Sequence, residues 1–250
     1  MGKGTRVGLF MAVAVSISQI AQAHFLTPDP VPPKAGDVFV FNRYAYAKNN
    51  PVVNIDPDGR YACGSDNKQT CTQINGFVNT MHTALSHLNP HSATYAKLSA
   101  VSTHIGTLGD GNGVTLNAGT FKTAGVIAVA NSATTMTIDV QKASTLSAAF
   151  RQYNPGRSAS SLARAFGAGA IAHEGQHQLD YLNPSMGYPT DRASEHATEM
   201  NAYTTELGVA KGLGVSTDLY APGALQKDID ARVNQAANDS TEAFCKVNGC

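Results

Sequence analysis

Charge is scarce in this chain. Asp, Glu, Lys and Arg make up 14 % of its 250 residues, 18 of each sign. No global basic field is therefore present to attract nucleic acid. Blocks of like charge, heptad runs and internal repeats are also absent, so neither a coiled coil nor a repeat array is expected. The apolar run from Val7 to Ile20 is too short for a comfortable membrane span, and stable membrane insertion is not expected. Only four cysteines occur, Cys63, Cys71, Cys245 and Cys250. Neither local spacing is a CxxC, which argues against a cysteine-zinc cluster. Three disulfide pairings are open; the two local ones close the smallest loops, and a bridge between the chain ends would constrain the unfolded state most.

What is present favours an exported, folded protein. A hydrophobic fraction of 42 % supports a real core. The length suits one substantial domain, or a small domain with an appendage. Lys3 and Arg6, the apolar run, and the small-x-small triplet Ala21-Gln22-Ala23 together read as a cleaved signal over residues 1–23. The expected location is secreted or periplasmic.

Residues 24–59 are punctuated by Pro, Asn, Gly and aromatics, which is turn-and-strand material. Beyond Gly59 the texture changes. Ile74, Phe77, Val78, Met81, Leu85 and Leu88 fall at helical spacing before Asn89-Pro90, and a second helix is expected over 92–106. Short β-like runs follow at 114–116, 125–130 ("GVIAVA") and 135–140 ("TMTIDV"), then a helical stretch at 143–153. Helices, a small sheet and helices again make an α+β layout, with one domain expected over 60–250.

The chemistry is concentrated in "AIAHEGQHQLD", residues 170–180, which contains His-Glu-x-x-His. A serine among Ser158, Ser160 and Ser161 can cap a helix running to about Leu182. Leu162, Phe166, Ala170, His173 and His177 then share one face. Four residues are about one turn, so both imidazoles can reach a single metal ion. Glu174 lies about 100° around the helix and can reach a water on that ion as general base. Zinc also needs a third protein ligand and an open position. The following helix, capped by Asp191 and ending near Gly212, offers Glu195 and Glu199 one turn apart, with Ala202 and Glu206 continuing their face. Glu199, 22 residues after His177 and within plausible reach, Glu195, Asp191 and His196 are the candidate third ligands. Tyr203, His196 and Tyr188 are candidate donors to a developing oxyanion, and Asp180 is a candidate to orient a ligand imidazole. His82, His87, His91 and His104 read as structural or solvated. "TMTIDV" is a candidate sheet edge for an extended peptide.

Two resemblances sharpen this. Phe25-Leu26-Thr27-Pro28-Asp29-Pro30, Asn42-Arg43-Tyr44-Ala45-Tyr46, Asn49-Asn50-Pro51 and Asp56-Pro57-Asp58-Gly59 closely resemble the end of the core of RHS/YD-repeat polymorphic toxins. In that family the segment closes a β-cocoon just before a variable toxin, and paired aspartates, matched here by Asp29 and Asp56, release the toxin by self-cleavage. The cocoon-building repeats are not in this sequence, and "DPVP" lacks the glycine of the family motif. The resemblance thus implies a toxin tip carrying a relic of the core, and it admits an immunity protein as partner. "EMNAY" from Glu199 resembles the third-ligand motif of gluzincin peptidases. That implies a zincin-like fold, a Zn2+ cofactor held by His173, His177 and Glu199, and a protein or peptide substrate. The metzincin pattern does not fit, because Asp180 and Asn183 occupy its glycine and third-ligand positions. The leading expectation is a zinc endopeptidase. The alternatives are a non-catalytic secreted domain with a structural metal and a nuclease toxin.

Overall fold

Asparagine, serine and aspartate side chains open five of the six helices, because each can satisfy backbone N–H groups that a helix start leaves free. The structure, a computed structural model, describes residues 62–65, 67–108 and 113–250. These all belong to one unit, Val52–Cys250. The signal over 1–23, the 24–59 segment and Asp29 and Asp56 lie outside the described residues.

After the short strand β1 (Ala62–Gly64), Asn67 accepts hydrogen bonds from the N–H groups of Gln69 and Thr70 and starts α1 (Lys68–Ser86). That helix begins six residues before the expected Ile74, since the cap lies upstream of its first buried residue. Ser92 caps α2 (Ala93–Ile105). Three strands follow: β2 (Thr115–Ala118), β3 (Ala128–Ser132) and β4 (Thr135–Ile138). Asp139 ends β4 and caps α3 (Val140–Ala149) through the Lys142 N–H, while also accepting from the Phe121 N–H. A 3-10 turn, Arg151–Tyr153, leads to α4 (Ala159–Leu182), capped by Ser158, and then to α5 (Arg192–Leu213), capped by Asp191. Gly214 closes α5 at φ 59°, a left-handed conformation that glycine adopts without steric cost. The last helix, α6 (Gln226–Asn248), was not apparent in the sequence.

The architecture is α+β, mostly helical, with a mixed four-stranded sheet ordered β1-β2-β4-β3. β1, β2 and β4 run parallel, whereas β3 pairs antiparallel with β4. This corrects the placement of "TMTIDV". Its strand, β4, is bonded on both sides and cannot receive an added strand; the edges are β1 and β3, the latter from "GVIAVA". Short apolar runs look alike in sequence, and sheet order depends on partners far along the chain.

The main core joins Ile74, Phe77, Val78 and Met81 of α1, Leu98, Val101 and Ile105 of α2, and Leu116, Met136 and Ile138 of the sheet to Ile171 and Ala172 of α4. A smaller cluster seats α6 on α5 through Ile229, Val233, Leu207 and Leu219. Both disulfides are the local ones, Cys63–Cys71 tying β1 to α1 and Cys245–Cys250 closing the end of α6. No helix among the described residues is long and apolar enough to cross a membrane.

The inward face of α4 is built from small residues, which lets α1 and α2 approach closely. A Cβ on Gly175 would lie 2.6 Å from Val101 Cγ1, and one on Gly167 would meet the Phe77 ring. Gly167→Ala is expected to destabilise. Helix propensity favours alanine by up to about 1 kcal/mol, but overpacking a filled core costs about 1–3 kcal/mol. A lower urea midpoint, equivalent to a net loss of up to about 2 kcal/mol in unfolding free energy, is the expected reading; an unchanged or raised midpoint would show that the ring yields freely.

Candidate metal and active site

The helix α4 carries His173 and His177 one turn apart, with Leu162 buried farther along the same face. Their rings meet edge to face at 4.9 Å, and their Nε2 atoms lie 3.2 Å apart. Buried Ala202 lets α5 pack closely on α4, bringing Glu199 to the same point. Glu199 Oε2 is 3.4 Å from His173 Nε2, and Oε1 is 3.6 Å from His177 Nε2. Among the described residues, these three form the group able to hold a metal ion.

The triangle fits a tetrahedral ion. Ligand atoms about 2.0–2.1 Å from such an ion stand about 3.3–3.4 Å from each other, close to the 3.2 Å between the two Nε2 atoms and the 3.4 Å from His173 Nε2 to Glu199 Oε2. Two imidazole nitrogens with facing lone pairs repel, so a proton or a cation must lie between them. Glu199 Oε2 is buried and receives no hydrogen bond. An orphaned carboxylate oxygen beside two imidazoles is a donor set suited to zinc.

Further residues brace the group. Glu206 Oε2 lies 3.1 Å from His173 Nδ1, so the ring donates there and its Nε2 is left to face the triangle. Carboxylates in this position fix a ligand's tautomer and raise its basicity. Glu206 had been read only as continuing the face of Glu199; its place two turns along was the available signal. Glu206→Gln is expected to weaken zinc binding by about 10–100-fold with little change in the circular dichroism spectrum. A competition titration with a chromophoric chelator measures this, and an unchanged affinity would remove the supporting role.

Glu174 lines the same cleft as the triangle, and its Oε2 accepts a 2.7 Å hydrogen bond from the N–H of Ala130 in β3. Burial pushes its carboxyl up to about 7, against the opposing pull of His173 and the Ala130 bond. Burial also leads at His177, which with the nearby charge of His173 is held down at about 4. At His173 burial opposes protonation, but the carboxylates of Glu199, Glu206 and Glu174 overcome it and raise the ring well above its ordinary value. Glu199 is likewise desolvated, yet its proximity to the two histidines keeps it below the usual carboxylate value.

Several expectations are corrected. Asp180 reaches neither ligand imidazole: it is buried and accepts from Gln176 Nε2 at 2.8 Å and Asn201 Nδ2 at 3.2 Å, tying α4 to α5. Asp191 is the α5 cap, and His196 lines a separate depression with Arg192. Glu195 stands outside the triangle. Tyr203 packs edge-on against His173 at 4.5 Å, with its hydroxyl 2.7 Å from Ser240 of α6. Tyr188 stacks on Tyr181 at 4.1 Å, and Tyr181 in turn lies over His177. His82 and His104, by contrast, are structural as expected, with internal hydrogen bonds to Ser102 and to Gln178.

The triangle opens into a cleft of about 570 Å³, walled by β3, the tyrosine pair and α6. Its lining includes Glu174, Glu195, Glu199, Glu206 and Asp218 and no lysine or arginine. The group able to hold a metal ion and the Glu174 carboxylate thus both open on a cleft of ligand-binding size.

No protein-family profile and no solved structure matches the chain. Among curated proteins, a 37-residue stretch is 54 % identical to "tRNA nuclease WapA" of Bacillus subtilis and to "tRNA3(Ser)-specific nuclease WapA" of Bacillus spizizenii. It is 51 % identical to "tRNA(Glu)-specific nuclease WapA" of Bacillus subtilis subsp. natto. The stretch covers 15 % of this chain, which spans about 2 % of the length of these relatives. The chain is thus similar to tRNA nucleases over one short stretch.

Proposed function

We propose that this chain is a zinc-dependent endopeptidase with a zincin-like fold, acting as the toxin tip of an RHS-type system. The observation that carries the reading is the His173–His177–Glu199 triangle with Glu174 on the adjoining face of α4. Zinc held there would supply Lewis acidity, polarising a carbonyl and making water acidic near neutral pH. His173 and His177 offer their Nε2 lone pairs and Glu199 a carboxylate oxygen. Glu206 keeps the His173 ring in the required tautomer. Glu174 accepts a proton from the attacking water and delivers it to the departing amine nitrogen. The Ala130 N–H fixes that carboxylate against β3, so the proton acceptor and the sheet edge keep a constant spacing.

A second reading, a nuclease, is favoured by the names of the curated relatives. The match is 37 residues long, about the length of the 24–59 segment that resembles an RHS core. A shared core end would account for it whatever the chemistry of the tip. The cleft also lacks the basic side chains that polyanions require. Incubating zinc-loaded protein in parallel with quenched fluorescent peptides and with total tRNA separates the two. Peptide cleavage that a chelator stops, with tRNA intact, is the expected result; degraded tRNA with intact peptides would establish the nuclease.

A further inference from the structure

Glu195 is a charged side chain without a partner in a buried place. It is 5 % exposed, lines the cleft, and receives no hydrogen bond or ion pair among the described residues. It lies one turn before Glu199 on α5, yet outside the metal-binding triangle. A desolvated carboxylate is costly to keep unless something neutralises it. Among the described residues no side chain forms an ion pair or hydrogen bond with it. Asp218, at another part of the cleft wall, has Arg232 near it, and Glu206 has His173; near Glu195 stand Glu199, of its own sign, and His173, which already meets Glu199 and Glu206. Five carboxylates line the cleft, and a divalent ion would offset two of those charges. Beside Glu195 the cleft wall is the stacked pair Tyr181 and Tyr188. A long basic side chain suits such surroundings, because its methylenes can lie on aromatic faces while its head meets a carboxylate.

We propose that Glu195 forms the base of a subsite for a cationic side chain, lysine or arginine, of the peptide substrate, with Tyr181 and Tyr188 covering its aliphatic stem. This rests on the peptidase reading and narrows it to basic substrates. In the sequence Glu195 is an alternative to Glu199 as third ligand; the geometry places it outside the triangle and leaves it for recognition.

Binding decides the proposal separately from catalysis. Zinc-loaded Glu174→Gln protein is titrated with fluorescein-labelled peptides in which one position at a time carries lysine, arginine, norleucine or glutamate. Lysine and arginine are expected to bind at least about tenfold more tightly than norleucine at one position. Adding Glu195→Gln is expected to erase that preference without changing zinc content. Should the double variant not fold, competition replaces it: ethylguanidinium displaces a bound peptide from the Glu174→Gln protein, and butanol at the same concentration does not. Equal affinity for lysine and norleucine at every position, a preference that survives Glu195→Gln, or no displacement by ethylguanidinium overturns the subsite. If the preference is found but wild-type protein cleaves no peptide, the cationic subsite stands and the peptidase reading falls. If peptides are cleaved without such a preference, the reverse holds.

Discussion

Glu174→Gln is expected to abolish peptide hydrolysis while leaving the protein folded and zinc-loaded. The amide has the shape of the carboxylate and can still accept the Ala130 N–H bond through its oxygen. It cannot take a proton from water. Loss of a general base costs about 10²–10⁴-fold in rate, enough to bring most peptidase assays to background. Stability should hold or rise, because a desolvated acid is exchanged for a neutral group. The measurements are initial rates on a quenched peptide, zinc by atomic emission, and a thermal melt on the same preparation. Full activity in this variant would end the peptidase reading. A protein with zinc bound, no measurable activity in wild type and no effect of the substitution would be the non-catalytic domain with a structural metal.

Removing the metal should have the second large effect. Two imidazole nitrogens at 3.2 Å beside a buried carboxylate need a proton or a cation among them, and a divalent ion satisfies all three at once. Zinc at a thousandfold excess over its dissociation constant adds about 4 kcal/mol to the folded state. For a domain of this size that corresponds to roughly 8–16 °C in Tm. Chelation should lower the melt by that amount and stop peptide cleavage; zinc should restore both. His173→Ala should melt low and show no response to zinc, since the ligand itself and its contact with Glu206 are lost. A melt indifferent to chelator and zinc alike would mean that the triangle does not bind metal.

The candidate site was legible because its ligands lie on two helices with strong local signals. His173 and His177 are one turn apart on a stripe that begins at Leu162, and Ser158 and Asp191 mark both helix starts. Glu199 could be singled out from Glu195 only by resemblance; the coordinates separate them by distance to the imidazoles. Asp180 misled for a physical reason. Three residues after His177 it shares a helix side with the ring, but Asn201 and Gln176 hold it between the helices. The α6 signal, Ile229, Val233 and Ala237 at four-residue spacing, lies in a largely polar segment that gave little warning of a helix.

The amino-acid order by itself indicated five of the six helices, the starts of α4 and α5, and which residues can reach a metal, because caps and periodicity act over four or five residues. The order of strands was decided only by the tertiary structure, as was the role of β3 as the edge that meets Glu174. So were the carboxylate behind His173 and the unpaired Glu195 in the cleft. Each depends on the distance between segments remote in sequence, and helix packing sets that distance through the shapes of side chains on both partners.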